Sequence, residues 1–143
     1  MNRITEMIEI IPGLLVGSIG DVELMLHEGV DVLVPLAFLN GNIWAAGFRG
    51  EILYYPIDDM GVLPDDVLRV LVDSICSRLD EGRRVGLFCG AGHGRTGYVA
   101  ACVLARRGIK DPIGYLRTKY SSKAIESEKQ IDAVFTYMRS LHR

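Results

Sequence analysis

The sequence holds only three cysteines and three histidines in 143 residues. An odd, sparse set of thiols disfavours a disulfide framework and fits reduced thiols in a cytoplasm. His27, His93 and His142 show no paired spacing, so neither a metal site nor a cofactor is expected. No apolar run approaches the roughly 18–20 residues that a membrane helix needs, so no membrane partner is expected. Glu6 and Glu9 interrupt the apolar N-terminal stretch, which lacks a basic start and a small-residue cleavage site. A secretory signal is therefore not expected. An excess of positive charge is missing too. Sixteen Lys and Arg stand against eighteen Asp and Glu, net −2, which argues against nucleic acid as a partner. Repeats, low-complexity tracts and Pro/Gly/Ser linkers are absent. What remains is a 49% hydrophobic chain whose length suits one domain over 1–143, expected to be monomeric. A domain near this size buries roughly 68–70% of the surface that its unfolded chain exposes.

Periodicity switches several times between strand-like and helix-like. Residues 8–11 and 14–17 read as short strands around a Pro12-Gly13 turn, and 21–27 as a short helix stopped at Gly29. The Val-rich run 30–36 suits a strand buried on both faces. Asn40-Gly41-Asn42 is loop chemistry, 52–57 a further strand and 58–64 a loop. Val67, Leu68, Leu71, Val72, Ile75 and Leu79 then recur at helical spacing, with Asp65 or Asp66 as the cap and Gly82 as the stop. A strand at 85–88 precedes a glycine-rich turn. Helices follow from Arg95 or Thr96 to Arg107, from Asp111-Pro112, and from Ser127 almost to the end. Strands alternating with helices predict an α/β fold: one domain, a mostly parallel central sheet and helices on both faces. In such sheets, sites form at the C-terminal ends of the strands.

The peptide Phe88-Cys89-Gly90-Ala91-Gly92-His93-Gly94-Arg95-Thr96-Gly97 lies at such an end. Gly90, Gly92 and Gly94 permit backbone torsions closed to other residues. A loop of this kind can aim successive N–H groups at one centre, and the helix behind it adds unpaired N–H groups and a positive dipole end. Residues Gly90, Ala91, Gly92, His93 and Gly94 thus predict a cradle for a tetrahedral oxyanion such as phosphate. Arg95 would close it with a two-pronged guanidinium. A cation at a helix start needs an anion to explain it. Cys89 forms the floor, where the same field favours its thiolate, an in-line nucleophile on phosphorus. The Thr96 hydroxyl would reach the sulfur and help it leave.

Cys-x-x-Gly-x-x-Arg-Thr-Gly at a strand-to-helix turn resembles the signature of the protein tyrosine phosphatase superfamily, above all its small dual-specificity-type members. The likeness extends over the order of elements from about Ile8 to Met138. Tyr55-Pro56-Ile57-Asp58-Asp59-Met60-Gly61-Val62-Leu63-Pro64 is similar to the Pro-x-x-Asp-x-Gly-Val-Pro stretch of small microbial and atypical members. Aligned so, Asp59 is the general acid, with Asp58 as the substitute. Ile125-Glu126-Ser127-Glu128-Lys129-Gln130 resembles the family's late Gln-bearing segment, which implies that Gln130 orients the hydrolytic water. The chain departs from the family at Phe88, where most members carry His before the nucleophile; the departure implies a thiol less strongly activated.

The resemblance implies a metal-independent phosphatase acting on phosphotyrosine, and on phosphoserine and phosphothreonine of a protein or peptide, through a cysteinyl-phosphate intermediate. Two alternatives stay open: a phosphate-recognition module with little turnover, and a sulfurtransferase using the same thiolate. Several residues also have plainer readings. Cys76 and Cys102 fall on apolar helical faces and read as structural. Asp58 and Asp59 suit a turn. Ser127 and Gln130 form a Ser-x-x-Gln capping box. His93 reads as solvent-facing packing, and Trp44, Tyr54 and Tyr55 as core or rim packing.

Overall fold

A computed structural model of the chain describes residues 7–39 and 47–142. The Asn40-Gly41-Asn42 loop, Trp44 and Glu6 lie outside the described residues. The elements in order are β1 (Ile8–Ile11), β2 (Leu14–Ser18), a 3-10 turn (Ile19–Asp21), α1 (Val22–His27), β3 (Val32–Pro35), β4 (Glu51–Ile52), α2 (Asp65–Asp80), β5 (Val85–Cys89), α3 (Gly94–Arg106), α4 (Pro112–Lys119) and α5 (Glu128–Ser140). The sheet runs β1-β2-β5-β3-β4. Among the described residues only the β1–β2 hairpin is antiparallel; β2, β5, β3 and β4 are parallel neighbours. Gly13, at φ 89°, makes the tight hairpin turn.

Strand alternation sorts the buried residues onto two faces. Leu14, Val16, Val32, Val34, Val85, Leu87 and Cys89 join the large core with α2, α3, α4 and α5. Leu15, Leu33 and Phe88 join a smaller cluster with Val22, Met25 and Val30. The sheet is therefore covered on both faces, unevenly, with α1 on the lighter side. Gly86 makes room there: a Cβ on it would meet the Met25 sulfur at 2.7 Å.

Helix α3 runs through the middle of the core, buried continuously from Thr96 to Leu104. Gly97 lets the chain before α5 come close, since a Cβ there would lie 2.8 Å from the Ile125 nitrogen. Several boundaries differ from the sequence reading by a residue or two, as at β3 (Val32–Pro35) and α3 (Gly94–Arg106), and two of the differences are instructive. Helix α2 is capped by Pro64, with Asp65 and Asp66 inside its first turn, where acidic groups complement the dipole. The strand expected over 52–57 is only Glu51–Ile52. Beyond it the chain still follows β3, with Leu53, Tyr55 and Ile57 donating to the carbonyls of Leu33, Pro35 and Leu36.

The C-terminal ends of β2, β5 and β3 lie side by side, with Ser18 paired to Cys89 and Pro35 to Phe88. Strand β5, between β2 and β3, delivers Cys89 to the middle of that edge.

Candidate active site

The glycine-rich turn joins β5 to α3, as expected, and its carbonyls are tied outward. Gly90 accepts from the Ile19 N–H at 3.3 Å. Gly92 accepts from the Tyr120 hydroxyl at 2.7 Å. The His93 carbonyl accepts from both Gly97 and Ile125 N–H, each at 3.0 Å. Gly92 holds φ 85°. A Cβ on it would approach Tyr120 Oη at 2.7 Å and the Gly17 carbonyl carbon and oxygen at 2.9 Å. The N–H groups of Gly90, Gly92 and His93 find no backbone acceptor among the described residues. Turning a loop's carbonyls outward in this way leaves its amides for an oxyanion.

Cys89 is buried at the foot of this loop, on the α3 side of the sheet. Phe88, one residue earlier, points the opposite way into the small cluster. The other two thiols, Cys76 on α2 and Cys102 on α3, are buried as well, and burial pushes both up, Cys102 the more strongly.

Arg95 folds back over the turn. Its Nη1 donates to the Ile57 carbonyl at 3.0 Å, and a Cβ on Gly90 would lie 3.5 Å from its Nη2. The same Nη2 stands 3.8 Å from Asp59 Oδ1. Asp59 therefore faces the loop from the segment after β4, exposed to solvent, with Oδ1 also accepting from the Met60 N–H at 3.1 Å. Asp58 contributes its carbonyl to a turn, accepting from Gly61 N–H at 2.8 Å.

Thr96 and His93 sit differently from the sequence reading, and Gln130 takes one of its two readings. The buried Thr96 hydroxyl is directed to the Gly17 carbonyl of β2, at 3.5 Å, rather than to the sulfur. His93 is buried, not solvent-facing: only 4% of it is exposed. Its Nδ1 lies 3.3 Å from Ser121 Oγ, its Nε2 has no protein partner, and burial lowers its basicity despite the nearby Glu126 carboxylate. Gln130 fulfils the capping alternative. Its Oε1 accepts from the N–H groups of Glu126 (3.0 Å) and Ser127 (3.2 Å), and its Nε2 donates to the Gly61 carbonyl at 3.2 Å. The amide is fully buried and engaged at both ends.

Sequence reasoning missed Tyr120 and Ile57. Tyr120 belongs to no local motif and Ile57 fills an unspecified position of the Pro-x-x-Asp stretch, so each reaches the loop or Arg95 only through the fold.

Comparison with known proteins identifies a family and a fold. The model of the Swiss Army Knife protein family PTP-SAK, a DSP-PTPase phosphatase domain, matches residues 41–140. Two uncharacterized proteins of Methanocaldococcus jannaschii are similar. MJ0215 is 37% identical over 91 residues, which is 64% of this chain and 57% of the relative. MJECL20 is 38% identical over 87 residues, 61% of this chain and 59% of the relative. The matched region thus spans under three fifths of the length of these curated relatives. Among solved structures, Tk-PTP in its active form superposes with a TM-score of 0.80 at 20% identity, covering 97% of this chain and 99% of that one. Human DUSP28 gives 0.79 at 18%, covering 96% and 95%. Human tyrosine phosphatase-like serine/threonine/tyrosine-interacting protein gives 0.77 at 17%, covering 96% and 98%. At these identities the likeness shows a shared fold. The family match covers well over half of the chain, and the chain belongs to the PTP-SAK family of dual-specificity-type protein tyrosine phosphatase domains.

Proposed function

We propose that this domain is a metal-independent phosphomonoesterase acting through a cysteinyl-phosphate intermediate. The observation that carries the reading is the placement of Arg95, with one guanidinium nitrogen shared between the Gly90 side of the loop and Asp59.

The phosphate of the substrate enters the turn, and the amides of 90–95 together with Arg95 hold its oxygens. Preorganised donors of this kind contribute most where charge develops in the transition state. The Cys89 thiolate attacks phosphorus in line, forming the S–P bond as the bond to the leaving oxygen breaks. Asp59 gives that oxygen a proton, so an alcohol or phenol departs. Water then attacks phosphorus, Asp59 takes its proton, the S–P bond breaks and inorganic phosphate leaves with the thiolate restored. Gln130 is not assigned to that water, because its amide already serves backbone groups. Thr96 acts by holding α3 to β2 rather than through the sulfur.

The substrate class proposed is phosphorylated protein or peptide. Asp59, at the rim beside Arg95, is 74% exposed, and so open a rim suits phosphoserine and phosphothreonine beside phosphotyrosine. No Lys lies between Cys89 and Arg95 to favour a polyanionic inositol headgroup. The test is steady-state hydrolysis of an aryl phosphate and of the three phosphopeptide types in excess chelator. Turnover by the wild type and none by Cys89→Ser is expected. Phosphopeptide binding without turnover would instead favour a recognition module, and thiosulfate–cyanide activity a sulfurtransferase.

A further inference from the structure

The two loops that the proposed reaction needs are held by one short stretch of chain. Ile125 N–H donates to the His93 carbonyl of the phosphate loop at 3.0 Å. Just beyond, Ser127 Oγ donates to the Met60 carbonyl at 2.8 Å, and Gln130 Nε2 donates to the Gly61 carbonyl at 3.2 Å. Met60 and Gly61 directly follow Asp59.

Backbone strain marks both contacts. Met60 at φ 63° and Ile125 at φ 67° are the non-glycine residues with positive φ among the described residues. For a β-branched side chain this is a true outlier, and such strain persists only where the surroundings over-determine it. Arg117 supplies that at Ile125, donating from Nε to the Ala124 carbonyl at 2.9 Å and from Nη2 to the Ile125 carbonyl at 3.0 Å. Ser127 and the Asp59 carboxylate supply it at Met60. The Gln130 amide also lies against the phosphate loop, because a Cβ on Gly94 would stand 3.1 Å from its Oε1 and 3.3 Å from its Nε2.

We propose that Ser127 and Gln130 are positioning residues for the general acid: their two donor groups hold the Met60 and Gly61 carbonyls, and so keep the Asp59 carboxylate beside Arg95. The proposal rests on the reading of Asp59 as the acid. The donors go beyond what capping requires. Capping α5 needs an acceptor at 127 and an acceptor at 130, which Asp and Glu provide equally well. The bonds to Met60 and Gly61 need a hydroxyl hydrogen and an amide hydrogen, which Asp and Glu lack when ionised.

That difference supplies the test, made on the full chain. Ser127→Asp and Gln130→Glu keep the cap and remove the donors; Ser127→Thr keeps both. Hydrolysis of phenyl phosphate, whose leaving group needs a proton, is compared with that of dinitrophenyl phosphate, whose leaving group does not. Misplacing a catalytic group by about 1 Å costs on the order of a hundredfold, so kcat/KM on phenyl phosphate should fall about tenfold or more in both donor-less variants, against less than about twofold on dinitrophenyl phosphate. Ser127→Thr should restore the phenyl phosphate rate. The added charge acts on both substrates alike, so equal losses on the two would overturn the proposal, as would undiminished activity on phenyl phosphate. Amide hydrogen exchange over residues 60–63 gives a readout independent of turnover, and should accelerate in Gln130→Glu; unchanged exchange contradicts the clamp. A wild type without Cys89-dependent turnover would instead refute the functional reading, and the exchange result would still decide the clamp.

Discussion

Arg95 Nη2 lies 3.8 Å from Asp59 Oδ1, across two loops that are far apart in sequence. The Asp59 side chain is 74% exposed and the Arg95 side chain 14%. A pair so open to water adds little stability. Its consequence is placement: the carboxylate stands at the rim of the cradle whose oxyanion the guanidinium would hold.

Replacing Asp59 by Asn should therefore lower kcat/KM for phenyl phosphate by about a hundredfold or more, within the range for loss of a general acid. Asp58→Asn should change it by only a few-fold, about as much as an exposed turn residue allows. Steady-state rates of the two variants on one substrate decide between them. A larger loss in Asp58→Asn would move the acid by one position.

Arg95→Lys keeps the charge and loses the fork. A planar guanidinium reaches the Ile57 carbonyl and the Gly90 side of the loop together, whereas a single ammonium cannot. Loss of a charge-assisted hydrogen bond should weaken vanadate or phosphate inhibition about tenfold or more. The inhibition constant measured at fixed ionic strength tests this.

Gly92→Ala should destabilise the domain by about 1–3 kcal/mol, the usual cost of a side chain in a disfavoured backbone region. The new methyl would also crowd the Gly17 carbonyl and the Tyr120 hydroxyl. Chemical denaturation reports the loss, and Tyr120→Phe should weaken anion binding without the same strain.

His93 adds a pH dependence. Burial is the main cause lowering its basicity, with Lys123 acting in the same direction and Glu126 against it. The folded state therefore binds this proton less readily than the unfolded state. Its contribution to stability is complete above histidine's ordinary value of 6.5, and is lost as the pH falls below that value through the lower folded one. Melting temperature should fall from pH 7 toward pH 5 in the wild type, and less steeply in His93→Gln. Parallel slopes for the two proteins would contradict this.

The site's centre was legible because its chemistry is local. Alternating glycines, a cysteine and an arginine within one strand-to-helix turn specify a cradle with little help from the rest of the chain. Helix α5 was legible from its cap, and the two-sided sheet from the apolar runs at β3 and β5. What escaped depends on contacts between distant segments. The sequence offers Thr96 the sulfur of Cys89 seven residues earlier, and only packing brings the Gly17 carbonyl of β2 to its hydroxyl instead. His93 reads as a loop residue until the segment after α4 closes over it, with Ser121 at its ring. Gln130 suits two roles, and the bond to Gly61, 69 residues earlier, separates them. The short β4 shows a further limit, because an apolar run cannot reveal that the regular strand ends at Ile52 while Leu53, Tyr55 and Ile57 still donate to the β3 side.

The central claim is that Cys89 takes the phosphoryl group. Quenching the wild type in acid during turnover of an aryl phosphate, in excess chelator, and weighing the Cys89 peptide tests it most directly. A covalently bound phosphoryl group is expected on that peptide, absent from Cys89→Ser together with all turnover. Steady phosphate release by Cys89→Ser, or by a wild type whose Cys89 never carries the group, would contradict it.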